Sequence, residues 1–385
     1  MKHHKRTVLA AFLLLTIAAI GLFLILDQRG SNSEKKQLRI AVNIPLTGPV
    51  AQFSGQYANG LTKGIDDTCK ELGIDRSMIS LDIQDNQGSA STAATIAQKH
   101  LLNGFDVYIS GVLESKAVAQ LVEPECEAHF VVNYLPEFVH EGTNRVRVLP
   151  HFAIEGKVYA RYSLLRGATK VTGICLNNPD TKVEFLKYVE PVLKENDVAF
   201  ALETFEFATS DFKTIAAKVK QANPDVILIS GFAHHIPMIL DALRSQSLIE
   251  NGNVLCIMNL ALLLSDEESN KKFAGVAFAA TPFSFPENTE SQLRWVASYE
   301  REFGPEPTFV TAHAYDTGRL LVSTLSKHSK VTQKSIIDTT PIRGVCGDIK
   351  LDAAGDFSTP MGVILVESNG TLRNIDLESP ISSAK

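Results

Sequence analysis

From residue 38 onward the apolar positions switch repeatedly between two periods. Ile40, Val42 and Ile44 lie in a short apolar run that Pro45 ends, the pattern of a buried strand closed by a residue that cannot donate to a sheet ladder. Thr47, Gly48 and Pro49 then make a turn. Beyond Gly55 the residues Tyr57, Leu61, Ile65, Cys69 and Leu72 recur at steps of three or four and form one helical stripe. The alternation continues, with strands predicted over 79–84, 107–110 and 130–134 and helices over 91–102 and 115–128. Ser115 is placed as the N-cap of the last of these.

A second series of the same plan starts at 152. Helices are predicted over 152–165 and 183–195, around Phe212, Ile215, Ala216 and Val219, and around Ile236, Ile239, Leu240 and Leu243. Strands fall at 171–176, 199–205, 226–230 and 254–258. The last third is less regular: a strand at 276–280, an extended piece at 282–286, helices at 290–303 and 308–327, and a strand–turn–strand tail from 344 to 366. Strands that alternate with helices imply parallel βαβ units with right-handed crossovers, here in two series and therefore two lobes. In such sheets ligands bind at the carboxyl ends of the strands, where the loop after Pro45 lies.

The first 36 residues differ from the rest. Residues 8–26 are apolar except for Thr16 and Gly21, and nineteen residues at a helical rise reach about 28 Å, close to the hydrocarbon thickness of a bilayer. A cleaved signal peptide has a shorter apolar core and a small-residue exit. The expectation is an uncleaved signal anchor over 8–26, with a cleaved signal peptide as the alternative. Lys2, Lys5 and Arg6 in 1–7 favour a cytoplasmic N-terminus and an exported body. A polar linker over 27–37 follows.

Charge sharpens this contrast. The leader carries about +4 of a chain whose net formal charge is −6, so the body is acidic. Nucleic acid is excluded as a partner on that ground. The cysteines Cys69, Cys126, Cys175, Cys256 and Cys346 are widely spaced, without a metal-binding or redox motif. They read as small buried hydrophobes, with one disulfide allowed in an exported body. His234 and His235 are adjacent, point different ways and lack a third ligand, so they read as solvated loop imidazoles and no metal is expected. The chain has no G-x-S-x-G elbow, H-E-x-x-H or Walker loop, so a binding protein is expected, without cofactor and without catalysis. A hydrolase with dispersed catalytic groups is the less favoured alternative.

Several stretches together resemble a known family. They are Pro45-Leu-Thr-Gly-Pro-Val-Ala-Gln-Phe-Ser-Gly55 after the first strand, Asp85-Asn-Gln before an alanine-rich helix, and Gly111-x-x-x-Ser115. Ala314-Tyr-Asp316 and Gly344-x-x-Gly347-x-Ile349-x-x-Asp352-x-x-Gly355-Asp356 follow in the same order. The ordered set, over about 38–377, resembles the type I periplasmic solute-binding proteins of the leucine/isoleucine/valine-binding branch. The resemblance implies an α/β clamshell of two doubly wound, Rossmann-like lobes joined by a three-segment hinge. Lobe one would take 38–152 and 282–345, and lobe two 153–281 and 346–385. It implies capture of a small molecule in the interlobe cleft for an ABC permease. A ligand sensor that signals to a membrane partner is the alternative.

The resemblance also implies the ligand-binding residues. Phe53 sits where the family places an aromatic ring, and Ser115 where it places the serine that holds a ligand carboxylate. Asn133 and Tyr134 fall at the positions for amine and carboxylate contacts. Phe232 lies near one family tyrosine and Lys182 near another. Asn259 replaces the glutamate that accepts a ligand ammonium. A buried ammonium without an anionic partner is costly, so the expected ligand is a neutral or anionic amide or organic acid rather than leucine, isoleucine or valine.

Overall fold

The computed structural model describes residues 37–378, apart from 49–50, 112–113, 288 and 305. The expected leader helix over 8–26 lies outside the described residues. Among those described, no helix is long and apolar enough to cross a membrane.

Two sheets organise the chain, the first parallel and the second mixed. The first holds β1 (Leu38–Ile44), β2 (Ile79–Asp85), β3 (Val107–Ser110), β4 (Ala128–Val131) and β5 (Arg145–Val146), in the order β2-β1-β3-β4-β5. Every pairing is parallel. Along β1, both Leu38, Ile40, Val42 and Ile44 and the intervening Ala41 and Asn43 are buried. That is the burial of a strand covered on both faces, which is why its sequence reads as a continuous apolar run. α1 (Ala51–Leu72), α2 (Ala90–Asn103) and α3 (Ser115–Val122) connect these strands.

The chain then crosses to the second sheet. α4 (Phe152–Leu165) leads to β6 (Lys170–Leu176), and α5 (Pro179–Val183), a π-helical turn over Glu184–Val189 and α6 (Glu190–Glu195) run on to β7 (Ala199–Phe205). α7 (Lys213–Ala222), β8 (Val226–Ser230), α8 (His235–Ser245), β9 (Val254–Cys256) and β10 (Val276–Ala280) follow. A second crossing returns the chain to the first sheet's helices as α9 (Glu290–Phe303), α10 (Phe309–Lys327) and α11 (Gln333–Thr339), and as the hairpin β11 (Ile342–Gly344) with β12 (Gly347–Ile349). A third crossing brings β13 (Gly362–Val366) and β14 (Leu372–Ile375) antiparallel onto β10, giving the order β14-β13-β10-β9-β8-β6-β7. Each sheet with its helices is called a lobe below.

Close packing fixes the first lobe. α1 and α10 touch backbone to backbone at Gly60, Gly64 and Gly318, where an added Cβ would collide with Thr311, Tyr315 and Leu61 main-chain atoms. Asp316 on α10 accepts the Val345 and Cys346 amides at 2.8 and 2.9 Å and so holds the β11–β12 turn. The expected boundary between 345 and 346 falls inside this turn. The crossings are tied by Arg147, which is fully buried. Its guanidinium forks onto Asp356 at 2.8 and 2.6 Å and donates to the carbonyls of Asn133 and Leu135 at 3.0 and 2.6 Å.

Several predicted boundaries shift for local reasons. α1 starts at Ala51, not after Gly55, so Phe53 is on its first turn rather than in a loop. The helix predicted over 115–128 ends at Val122, because Pro124 turns 123–125 into a 3₁₀ segment and Ala128 already belongs to β4. Ser115 is the first helical residue, and Glu114 holds the N-cap position. The piece at 282–286 begins with a 3₁₀ turn over Pro282–Ser284. β5, β14 and α11 have no counterpart among the predicted elements. The five cysteines are buried and unpaired.

Candidate functional site

The two lobes enclose a cavity of about 500 Å³ between them. Its wall is built at the carboxyl ends of strands. Asn133, Tyr134 and Leu135 follow β4; Leu176, Asn177 and Asn178 end β6; Glu206 and Phe207 follow β7; Ser230, Gly231 and Phe232 end β8; Ile257 and Asn259 follow β9. This is where doubly wound sheets collect ligands, because neighbouring connections leave on opposite faces and open a crevice. The size suits a small organic molecule.

Some polar groups in the wall already have partners. Lys116 on α3 and Asp180 on α5 pair across the cleft, with Nζ 2.8 Å from both carboxylate oxygens. Asn177 donates to Glu206 at 2.7 Å and accepts from Lys182 at 2.6 Å. The Asn133 carboxamide oxygen accepts the Leu135 amide at 3.2 Å and Arg147 at 3.0 Å.

Two groups do not. Asn259, 7% exposed, donates its NH₂ to the Gly231 carbonyl at 3.0 Å, while its Oδ1 has no partner. The Tyr134 hydroxyl, on a side chain 8% exposed, is also without one. Burial raises the Tyr134 phenol well above its ordinary pKa, so it stays protonated and able to donate. Buried polar atoms left unpaired are costly.

The remaining wall is aromatic. The Tyr134 and Phe152 rings lie 5.6 Å apart, and Phe207 and Phe232 meet edge to face at 5.4 Å. His235 sits behind the second pair, fully buried, with Nε2 2.9 Å from the Phe207 carbonyl. Burial lowers its pKa and keeps it neutral. Only His234 is exposed, so the expectation of two solvated imidazoles fails: the start of α8 carries His235 into the core. Among the described residues no group of three or more His, Cys, Asp or Glu side chains gathers to hold a metal.

Of the seven residues expected at the site, Asn133, Tyr134, Phe232 and Asn259 line this cavity and Phe53, Ser115 and Lys182 do not. Phe53 packs partly buried against the first lobe's core. The Ser115 hydroxyl accepts from Ser110 at 2.9 Å and donates to the Gly111 carbonyl at 2.5 Å, so it is used within its own lobe. Lys182 acts one step away, through Asn177. Lys116, Phe152, Asp180, Phe207 and Ser230 belong to the wall without having been singled out. Phe207 and Ser230 carried a positional signal, at or just after a predicted strand, whereas Lys116, Phe152 and Asp180 sit on helices and carried none.

A model of the periplasmic binding protein family matches residues 37–371. The Leu/Ile/Val-binding protein homolog 1 of Brucella suis is 21% identical over 346 residues, which cover 83% of this chain and 88% of that protein. The branched-chain amino acid transporter substrate binding protein LivJ from Streptococcus pneumoniae, solved with isoleucine, is 18% identical. It superposes with a TM-score of 0.73 over 88% of this chain and 99% of that one. A solute binding protein of an ABC transporter from R. palustris, solved with benzoate, is 16% identical, with a TM-score of 0.74 over 89% and 97% of the two chains.

Proposed function

The chain belongs to the periplasmic binding protein family, and from that premise we propose that it captures a small neutral or anionic molecule in the interlobe cavity for an ABC permease. Its role is solute binding, and its relatives are substrate-binding proteins, not enzymes. The observation that carries the ligand reading is the wall itself: Lys116 sits in an exposed ion pair that a ligand carboxylate can compete for, and beside the cavity Asn259 Oδ1 and the Tyr134 hydroxyl are buried without a partner. No carboxylate takes the position of Asn259, and an amide oxygen accepts a donor without supplying charge.

Phe152, Phe207 and Phe232 suit a branched or ring-bearing body. The ligand is thus an amide or an organic acid, held by aromatic contacts and oriented by Asn259, Tyr134 and Lys116. The two lobes close on the ligand by hinge motion at the three crossings, with the β11–β12 hairpin staying on the first lobe. The relatives' transport role favours delivery to a permease over signalling.

A thermal-shift panel of leucine, its des-amino acid, aliphatic amides and aromatic acids tests this reading, since a ligand that binds only the folded state raises the melting temperature. The acids or amides are expected to stabilise the protein. A clear shift with leucine and none with the des-amino acid refutes the reading of Asn259.

A further inference from the structure

Directly behind the second-lobe wall lie two carboxyl groups that ligand capture, as described, does not use. Glu155 on α4 and Glu184 at the start of the π turn are both 0% exposed. Their backbones are pressed together at Gly156, where an added Cβ would stand 3.1 Å from the Glu184 carbonyl oxygen and 3.6 Å from its Cγ. The π turn is the local irregularity that brings Glu184 to this spot, and such turns recur at functional sites. Glu155 Oε1 accepts the Met258 amide at 2.7 Å, between the wall residues Ile257 and Asn259. Its Oε2 and both Glu184 oxygens have no partner. The Ser230 hydroxyl lies close enough to Glu184 to moderate its ionisation without completing a hydrogen bond to either oxygen.

The surroundings contain no compensating charge. The titratable groups that feel the pair are Tyr134, Tyr159 and Cys175, all of them neutral when protonated. Among the described residues no salt bridge reaches either carboxyl. Burial raises both above their ordinary pKa, and each carboxyl raises the other's cost of ionising.

We propose that Glu155 and Glu184 form a proton-holding pair that sets the charge of the cavity's second-lobe wall, with Tyr134 as the wall residue that senses it. With both protons on, the wall is neutral; loss of one places a negative charge behind Tyr134, Ser230 and Asn259. A cationic ligand group then draws a proton out of the pair and an anionic group retains it, so binding is proton-linked with a sign set by ligand charge. This last consequence rests on the cavity being the ligand site; the pair's protonation does not.

The test uses the folded protein without ligand. Tyrosine labelled with ¹³C at Cζ is followed by NMR through neutral and alkaline pH, with Tyr134→Phe to assign the signal. The wild type is compared with Glu155→Gln, Glu184→Gln and the double variant, which keep shape and, at Glu155, an acceptor for the Met258 amide. The Tyr134 signal is expected to titrate in the wild type and to stay flat in the double variant. The wild-type melting temperature is expected to fall more steeply than the double variant's as pH rises from the ordinary carboxyl range to the alkaline side. A flat wild-type signal, a signal that titrates equally in the double variant, or equal melting slopes overturns the proposal. These readouts need no ligand, so failure of the cavity reading leaves them decisive.

Discussion

Replacing Arg147 by Met tests whether the first and third crossings are held together by one buried charge network. The guanidinium has no contact with solvent, and every direction of its fork is used: Asp356 at 2.8 and 2.6 Å, and the Asn133 and Leu135 carbonyls at 3.0 and 2.6 Å. Met preserves much of the volume and removes all of these donors. Asp356 would keep the Phe357 amide at 2.8 Å and the His151 ring 3.6 Å away, but no counterion. Breaking one side of a buried ion pair costs about 3–5 kcal/mol, because the other charge is left without its counterion. Removing both charges leaves no uncompensated charge, so Arg147→Met combined with Asp356→Asn should lose at least about 1 kcal/mol less than the sum of the single losses. Urea unfolding measures the four free energies. A single variant within about 1 kcal/mol of the wild type, or strict additivity in the double variant, refutes this account of the hinge.

Three smaller predictions accompany it. Lys116→Ala or Asp180→Ala should change stability by less than about 1 kcal/mol, since both side chains are half exposed, yet Lys116→Ala should weaken an organic-acid ligand severalfold; calorimetric titration with melting curves separates the two effects. Gly64→Ala should destabilise by about 1–3 kcal/mol, because the new Cβ meets the Tyr315 main chain across α1 and α10, and urea unfolding reads it. A thiol reagent should react with the five cysteines only after unfolding; fewer than five thiols in denaturant would reveal a disulfide.

The sequence carried the fold through strand periodicity. β3, β8 and β10 fall where continuous apolar runs place them, because strands covered on both faces must be apolar on both, and β7, an edge strand, falls where the pattern places it although it is largely half-buried. β5 has two residues and α11 seven, too short for a period to register, although Thr332 with Ser335 at the start of α11 is a readable capping pair. Asn133, Tyr134, Phe232 and Asn259, named through the family resemblance, line the cavity at the ends of strands, where position alone also points. Lys116 and Asp180 enter the wall from helices of opposite lobes, and no local pattern announces such a meeting. His235 and Glu184 were hidden for the opposite reason: polar residues look solvated until packing from other elements buries them.

The central claim is that a small molecule is taken up in the cavity between the lobes. The most direct measurement is the affinity of the tightest molecule from the thermal-shift panel for the wild type and for Asn259→Leu and Leu135→Trp, by calorimetric titration. Asn259→Leu removes the unpaired acceptor together with the donor to the Gly231 carbonyl, and Leu135→Trp adds bulk to the wall. The account predicts one ligand per chain, a loss of about 1–3 kcal/mol in binding for Asn259→Leu, and a larger loss for Leu135→Trp, with melting of the unliganded variants little changed. Unchanged affinity in both variants would place the ligand elsewhere and contradict the account.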